Sequence, residues 1–141
     1  EDRGPVIVYY KTYEEGRLKE LAIRHPEHAQ LLQKYVSRLF DLHPAVKRFF
    51  YDPRMEGSFS IKKVLPAIAP DLDYGELGEV QEGTAAQVAY VYATLDPSTT
   101  PERKADLESK LRMYCRQDTW AMVEVAYFLA QLSRPTRPGG M

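Results

Sequence analysis

The chain has 141 residues, of which 44% are hydrophobic and 28% charged, a composition typical of one globular domain with its own core. Its net charge of −1 excludes strongly basic proteins that bind nucleic acid by bulk electrostatics, but not an enzyme that meets phosphate through bound cations. A lone cysteine, Cys115, excludes a disulfide framework or zinc–cysteine cluster, and no apolar stretch is long enough to span a bilayer. We expect a cytoplasmic protein with no membrane partner.

The N-terminal part of the chain predicts one buried strand followed by two helices. Residues 6–10 form a β-branched and aromatic run whose continuous apolarity predicts a strand buried on both faces. Thr12 begins a helix with acidic residues in its first turn, and this helix ends near His25-Pro26. A second helix follows and closes at residues 41–44. Its apolar residues recur at helical spacing: Leu31, Leu32, Tyr35, Val36, Leu39 and Phe40.

The rest of the chain predicts three helices separated by turn-forming residues. Residues 48–51 are a further candidate strand, ahead of the Asp52-Pro53 turn. The final helix carries a kink or break near Tyr114. The three helices are predicted over residues 61–66, 85–95 and 101–132.

The segment Tyr114-Cys115-Arg116-Gln117-Asp118 places a phenol and a carboxylate four residues apart in the last helix. Side chains at this spacing are neighbours on one helix face. A metal-dependent phosphodiesterase uses such a pair, because the carboxylate holds a divalent cation and the phenol orients the attacking water. The alternatives are that Asp118 is only an exposed helix acid and Tyr114 only a core aromatic with its hydroxyl at the surface.

Three patches carry a family resemblance. Val6 to Leu18 holds a strand, then Tyr9-Tyr10-x-x-Tyr13-Glu14, then a helix. The second patch is Gly57-Ser58-Phe59-Ser60-Ile61-Lys62-Lys63-Val64-Leu65-Pro66, and the third is Tyr114 to Thr119. Together they resemble a bacterial family of uncharacterised domains related to the DnaQ-like (DEDD, tyrosine-type) 3′–5′ exonucleases of the RNase H-like superfamily, over residues 6–132.

This resemblance implies a truncated RNase H-like α/β fold, mainly helical with one or two strands. Residues 1–133 would be the C-terminal part of a nuclease domain, and residues 134–141 a flexible tail. In this superfamily the strand bearing the first Asp-x-Glu motif precedes residue 1, and Glu1-Asp2 is too close and in the wrong order to replace it. We expect this fragment to cover its exposed strand edge either by self-association into a homo-oligomer or by a rearranged segment.

The activity implied by the resemblance is two-metal hydrolysis of single-stranded DNA or RNA from the 3′ end, with Mg²⁺ or Mn²⁺. Glu14 matches the second-motif carboxylate, Asp118 the third-motif metal ligand and Tyr114 the water-orienting phenol. Tyr10 stands where the family pattern has asparagine. Because two of the four carboxylates are missing, we expect the fragment to be inactive, and to bind metal only together with the upstream acidic motif.

Several of these residues have simpler interpretations. Lys62 and Lys63 are candidates for binding a phosphate backbone, but lysines on a helix surface are usually only solvated. Glu14 is also explained as a first-turn acid favoured by the helix dipole. Asp41 is best explained by helix capping or turn formation, and Cys115 by a buried structural thiol. The alternative function is a catalytically dead nucleic-acid-binding or scaffold domain.

Overall fold

The computed structural model describes residues 3–72, 79–80 and 82–132. Those ranges are mainly helical, with two parallel strands, which confirms the coarse prediction of an α/β fragment. Two single-turn 3-10 helices occupy Pro26–His28 and Pro53–Met55. The main elements are β1 (Val6–Val8), α1 (Lys11–Arg24), α2 (Ala29–Val36), β2 (Leu39–Asp41), α3 (Leu42–Phe49), α4 (Ile61–Ile68), α5 (Gly83–Thr94) and α6 (Pro101–Leu132).

The two strands pair side by side, and the second is not where the sequence predicted it. β1 lies parallel to β2, with Val6 opposite Leu39 and Val8 opposite Asp41. The helix predicted to run through Phe40 therefore ends at Val36, and the candidate strand at residues 48–51 is wrong because its first two residues complete α3. Both errors have one cause. A three-residue strand is defined by its pairing with a distant segment, which local periodicity does not report.

One carboxylate organises this sheet end. Asp41 caps α3 by accepting a hydrogen bond from the His43 backbone N–H at 3.0 Å. It also accepts from the backbone N–H groups of Tyr10 at 3.1 Å and Lys11 at 2.8 Å, where α1 begins. Pro44, which the sequence suggested as a helix end, lies in the first turn of α3, where a missing N–H breaks no intrahelical bond. The capping interpretation of Asp41 is confirmed.

Helix α6 runs without interruption for 32 residues, so the break predicted near Tyr114 is wrong. No proline or glycine follows Pro101 within it, and those are the usual causes of a sharp kink. At 1.5 Å per residue the helix is about 48 Å long. No helix in the described ranges has the length and apolarity needed to cross a membrane.

Helix α6 contributes to three buried clusters. The largest joins β1, α3, α4 and the C-terminal half of α6, and its buried members are Tyr9, Leu42, Val46, Met55, Val64, Ala67 and Val125. The second is Leu65 with Ala121. The third pairs α5 with the N-terminal half of α6 and consists of Val80, Ala89 and Leu107. Tyr114 is half-buried and packs against both the second and the third cluster.

Candidate functional site

Tyr114 and Asp118 interact on one face of α6, one turn apart. The Tyr114 hydroxyl donates a hydrogen bond to the Asp118 carboxylate. The pKa of Tyr114 is raised, first by burial and then by the negative charge of Asp118 and this hydrogen bond. The phenol therefore keeps its proton at neutral pH, so the hydroxyl serves as a donor.

Glu14 reaches the same place from α1. Its pKa is raised, first because the side chain is half-buried and then because Asp118 lies close enough to repel its negative charge. The first turn of α1 and the middle of α6 thus bring together carboxylates that lie far apart in the sequence. The position of Glu14 is fixed at the start of α1, where Asp41 holds the first N–H groups of the helix.

Tyr10, immediately before α1, has an unusual backbone conformation. Its backbone is in the left-handed region, with φ 68° and ψ 70°. Asparagine tolerates this region better than other residues with a side chain, and asparagine is what the pattern has at this position. The Tyr10 N–H is held by Asp41 at 3.1 Å. The left-handed backbone conformation by itself favours asparagine over tyrosine at this position.

The two candidate lysines differ in their surroundings. Lys62 places its Nζ 5.2 Å from the centre of the Tyr114 ring, so it lies beside the candidate site. Lys63 is exposed and forms an ion pair of 2.6 Å with Glu56. Only Lys62 is brought near Tyr114 by a described contact.

The sequence interpretation missed one neighbour of the site and misjudged another. Gly83, which lies outside the helix predicted over residues 85–95, is the first residue of α5, and a Cβ built on it would lie 3.9 Å from the Tyr114 hydroxyl. The preceding Glu82 adds negative charge that also raises the pKa of Tyr114. Cys115 is exposed, so its interpretation as a buried thiol is wrong. The clue was the helical spacing, which turns residue 115 about 100° away from Tyr114.

The residues present fit one hard divalent cation better than two. Within the described ranges, no group of three or more His, Cys, Asp or Glu side chains is arranged to hold a metal ion. Mg²⁺ nevertheless often binds through only one or two carboxylates, with water and substrate phosphate completing its shell. Glu14 and Asp118 supply such a pair, and their mutual repulsion is the kind that a bound cation relieves.

One family model and two curated relatives are similar to this chain, and their descriptions name no activity. Residues 1–60 match a family described as a domain of unknown function, DUF2779, and that match includes Glu14 but not Tyr114 or Asp118. The chain is 30% identical to "Uncharacterized protein UU173" of Ureaplasma parvum, over 89% of this chain and 20% of the relative. It is 29% identical to "Uncharacterized protein MG366 homolog" of Mycoplasma pneumoniae, over 91% of this chain and 21% of the relative.

No solved structure matches the chain. These similarities do not bear on the resemblance to DnaQ-like exonucleases, which stays a prediction. The chain spans about a fifth of the length of the curated relatives it matches, and what it is similar to is one segment of larger mycoplasmal proteins together with the DUF2779 domain.

Proposed function

We propose that this chain carries part of the active site of a metal-dependent 3′–5′ exonuclease, in which Glu14 and Asp118 bind Mg²⁺ or Mn²⁺. The observation that carries the proposal is the meeting of Glu14 with Asp118 across α1 and α6, with the Tyr114 hydroxyl bonded to Asp118. Two like charges in a half-buried place cost folding free energy, and a cation that neutralises them is the simplest reason to keep them there.

Each of the three side chains has a distinct task in this reaction. The bound cation would polarise the phosphate and lower the pKa of its bound water. Glu14 and Asp118 hold that cation from two different helices. Tyr114 keeps its proton and, through its hydrogen bond to Asp118, is fixed in a position from which its hydroxyl can orient the attacking water. Lys62 lies beside the Tyr114 ring, where an ammonium group favours a substrate phosphate.

Metal binding is tested on a longer protein that includes an upstream Asp-x-Glu motif, by titrating Mn²⁺ and following its electron paramagnetic resonance signal. Asp118→Asn and Glu14→Gln keep the shape of each side chain but remove the charge that holds the cation, so each is expected to weaken Mn²⁺ binding at least tenfold. Asp71→Asn is the matched control, because Asp71 is exposed and lies outside the site. An equal loss in the control would contradict the assignment.

Activity is tested on a 3′-labelled oligonucleotide, with and without EDTA, using this chain and a longer protein that includes an upstream Asp-x-Glu motif. We expect metal-dependent cleavage by the longer protein only. Tyr114→Phe should lower kcat and leave Mn²⁺ binding intact, whereas Tyr127→Phe, an exposed tyrosine on the same helix, should change neither. Cleavage by the 141-residue chain alone would show that the site has been misplaced.

A second function is a nucleic-acid-binding or scaffold domain without catalysis. The observation that favours it is that no group of three or more His, Cys, Asp or Glu side chains within the described ranges could hold a metal ion, whereas two-metal hydrolysis needs more carboxylates than Glu14 and Asp118. A longer protein with its Asp-x-Glu motif intact, folded and still inert towards DNA and RNA, would favour this alternative.

A further inference from the structure

Positive charge is concentrated in one segment of a chain whose net charge is −1. Residues 47–63 hold five cationic side chains and two acidic ones. Both acids are already in ion pairs with two of these cations, Asp52 with Arg54 at 2.8 Å and Glu56 with Lys63 at 2.6 Å. Of the other three cations, Lys47 and Arg48 belong to α3 and Lys62 belongs to α4.

Aromatic rings adjoin this charge in a continuous series. Tyr10 stacks at an angle on His43, with ring centres 4.4 Å apart. Lys47 follows one turn along α3, and its Nζ lies 5.9 Å from the centre of the Phe59 ring. The centre of the Phe59 ring in turn lies 6.2 Å from the centre of the Tyr51 ring. We name this series the aromatic–basic strip, and its five residues are Tyr10, His43, Lys47, Tyr51 and Phe59.

The strip is continuous at its centre as well as at its ends. The pKa of His43 is lowered, first by its partial burial and also by the positive charge of Lys47, against the opposing effect of Asp41. Lys47 therefore lies near both His43 and Phe59. The outer rings are open to solvent, since Tyr10 is 45% and Tyr51 59% exposed.

We propose that the aromatic–basic strip binds single-stranded nucleic acid, with bases stacked on Tyr10 and Tyr51 and a phosphate beside Lys47. Exposed rings next to cations are the two elements that single-strand-binding proteins combine, because every base has a π face and every nucleotide a negative charge. A duplex keeps its base faces inside the stack, so it cannot use the rings. An acidic peptide meets the charge but leaves the rings without stacking partners.

The strip ends next to the candidate carboxylate site. Tyr10 directly precedes α1, and Glu14 lies in the first turn of that helix. A strand that occupies the strip from Tyr51 to Tyr10 therefore approaches Glu14. This direction towards the carboxylates rests on the proposed function, whereas binding to the strip does not.

Binding is measured by fluorescence anisotropy of a short labelled oligothymidylate, using the intact 141-residue chain in EDTA so that no metal takes part. Replacement Lys47→Gln is expected to lower the slope of log affinity against log salt by about 0.7, which corresponds to one lost phosphate contact on a single strand. The matched control is Lys19→Gln, which removes the same charge from an exposed ion pair on α1.

The stacking contribution is measured separately. Tyr51→Ser is expected to weaken oligothymidylate binding by about tenfold, the usual scale for one lost base–aromatic contact. Tyr127→Ser, which removes an equally exposed tyrosine from α6, should leave it unchanged. Thermal unfolding of each variant shows whether it has kept its fold.

Three results would overturn the proposal: an equal loss in the α1 control, duplex DNA binding as tightly as the single strand, or binding to anionic vesicles with none to the oligonucleotide. If this chain binds the oligonucleotide but the longer protein does not cleave it, the nuclease proposal fails and the strip proposal stands. If the longer protein cleaves in a metal-dependent way but the strip variants have no effect on binding, the strip proposal fails and the nuclease proposal stands.

Discussion

The two halves of α6 differ in how many of their residues are buried and in the size of the clusters they pack against. In the C-terminal half, Ala121 and Val125 are fully buried, and Val125 belongs to the largest cluster, which also includes residues of β1, α3 and α4. In the N-terminal half, up to residue 113, only Leu107 is buried, against an α5 that buries only Ala89. Tyr114 and Asp118 lie between these halves. The candidate site therefore stands where the well-packed part of the molecule meets the sparsely packed part.

The largest effect should come from the well-packed half. Met55 is fully buried in the main cluster, and Met55→Ala leaves a cavity that the surrounding side chains cannot fill. We expect a loss of about 3 kcal/mol in the free energy of unfolding, measured by urea denaturation. Met113→Ala removes the same side chain from a position on α6 that is 50% exposed, and should cost less than about 0.5 kcal/mol. Similar losses at both positions would remove the contrast.

A smaller and more local effect is expected in the other half. Leu107→Ala should cost about 2 kcal/mol, near the low end for a buried leucine, because its cluster has only two other buried members. Amide hydrogen exchange should quicken in α5 and in the start of α6 while α3 stays protected. Leu95→Ala, at a side chain that is 70% exposed, is the control. Uniform loss of protection across the whole chain would show that the two halves unfold as one.

The smallest effect, at the boundary, should have the opposite sign. The raised pKa of Glu14 means that the folded chain holds this proton more tightly than the unfolded chain does, so stability is lost as the pH rises through the folded pKa. Glu14→Gln should therefore be more stable than the parent at pH 7. The gain in the free energy of unfolding should be smaller than the losses expected for Met55→Ala and Leu107→Ala. The difference should vanish below the ordinary value of 4.5.

Thermal unfolding across this pH range provides the measurement. Glu20→Gln is the control on the same helix, because it breaks an exposed ion pair with Arg17 and should cost up to about 1 kcal/mol at pH 7. A Glu14→Gln variant that is less stable than the parent at neutral pH would mean that Asp118 does not repel Glu14.

Local chemistry made much of the fold predictable, and non-local pairing accounts for what was missed. β1, α1, α4, α5 and α6 follow from β-branched runs, apolar spacing and proline positions, all of which act within a few residues. β2 and α3 were missed because Leu39 and Phe40 continue the apolar spacing of α2 and are separated from it only by pairing with β1. Pro44 was interpreted as a helix end, although the first turn of a helix accepts proline.

The site was predictable to a similar extent. The contact between Tyr114 and Asp118 follows from helix geometry alone, since residues four apart share a face. Spacing could not relate Glu14 to them, because they lie on different helices, and only the family resemblance suggested it. The difference between Lys62 and Lys63 was not predictable. Adjacent residues on a helix point about 100° apart, and their neighbours come from other elements.

Tyr114 packs against two buried clusters, and one of them includes α5, so the candidate site is coupled to that helix. Opening of α5 removes one wall of the Tyr114 ring and loosens the hydroxyl that holds Asp118. Opening of α5 weakens the binding of any ligand that requires the ordered tyrosine. By thermodynamic linkage, such a ligand raises the free energy of α5 opening by the same amount. A ligand bound at Glu14 and Asp118 should therefore slow amide hydrogen exchange in α5, although α5 does not itself contribute a carboxylate to the proposed pair.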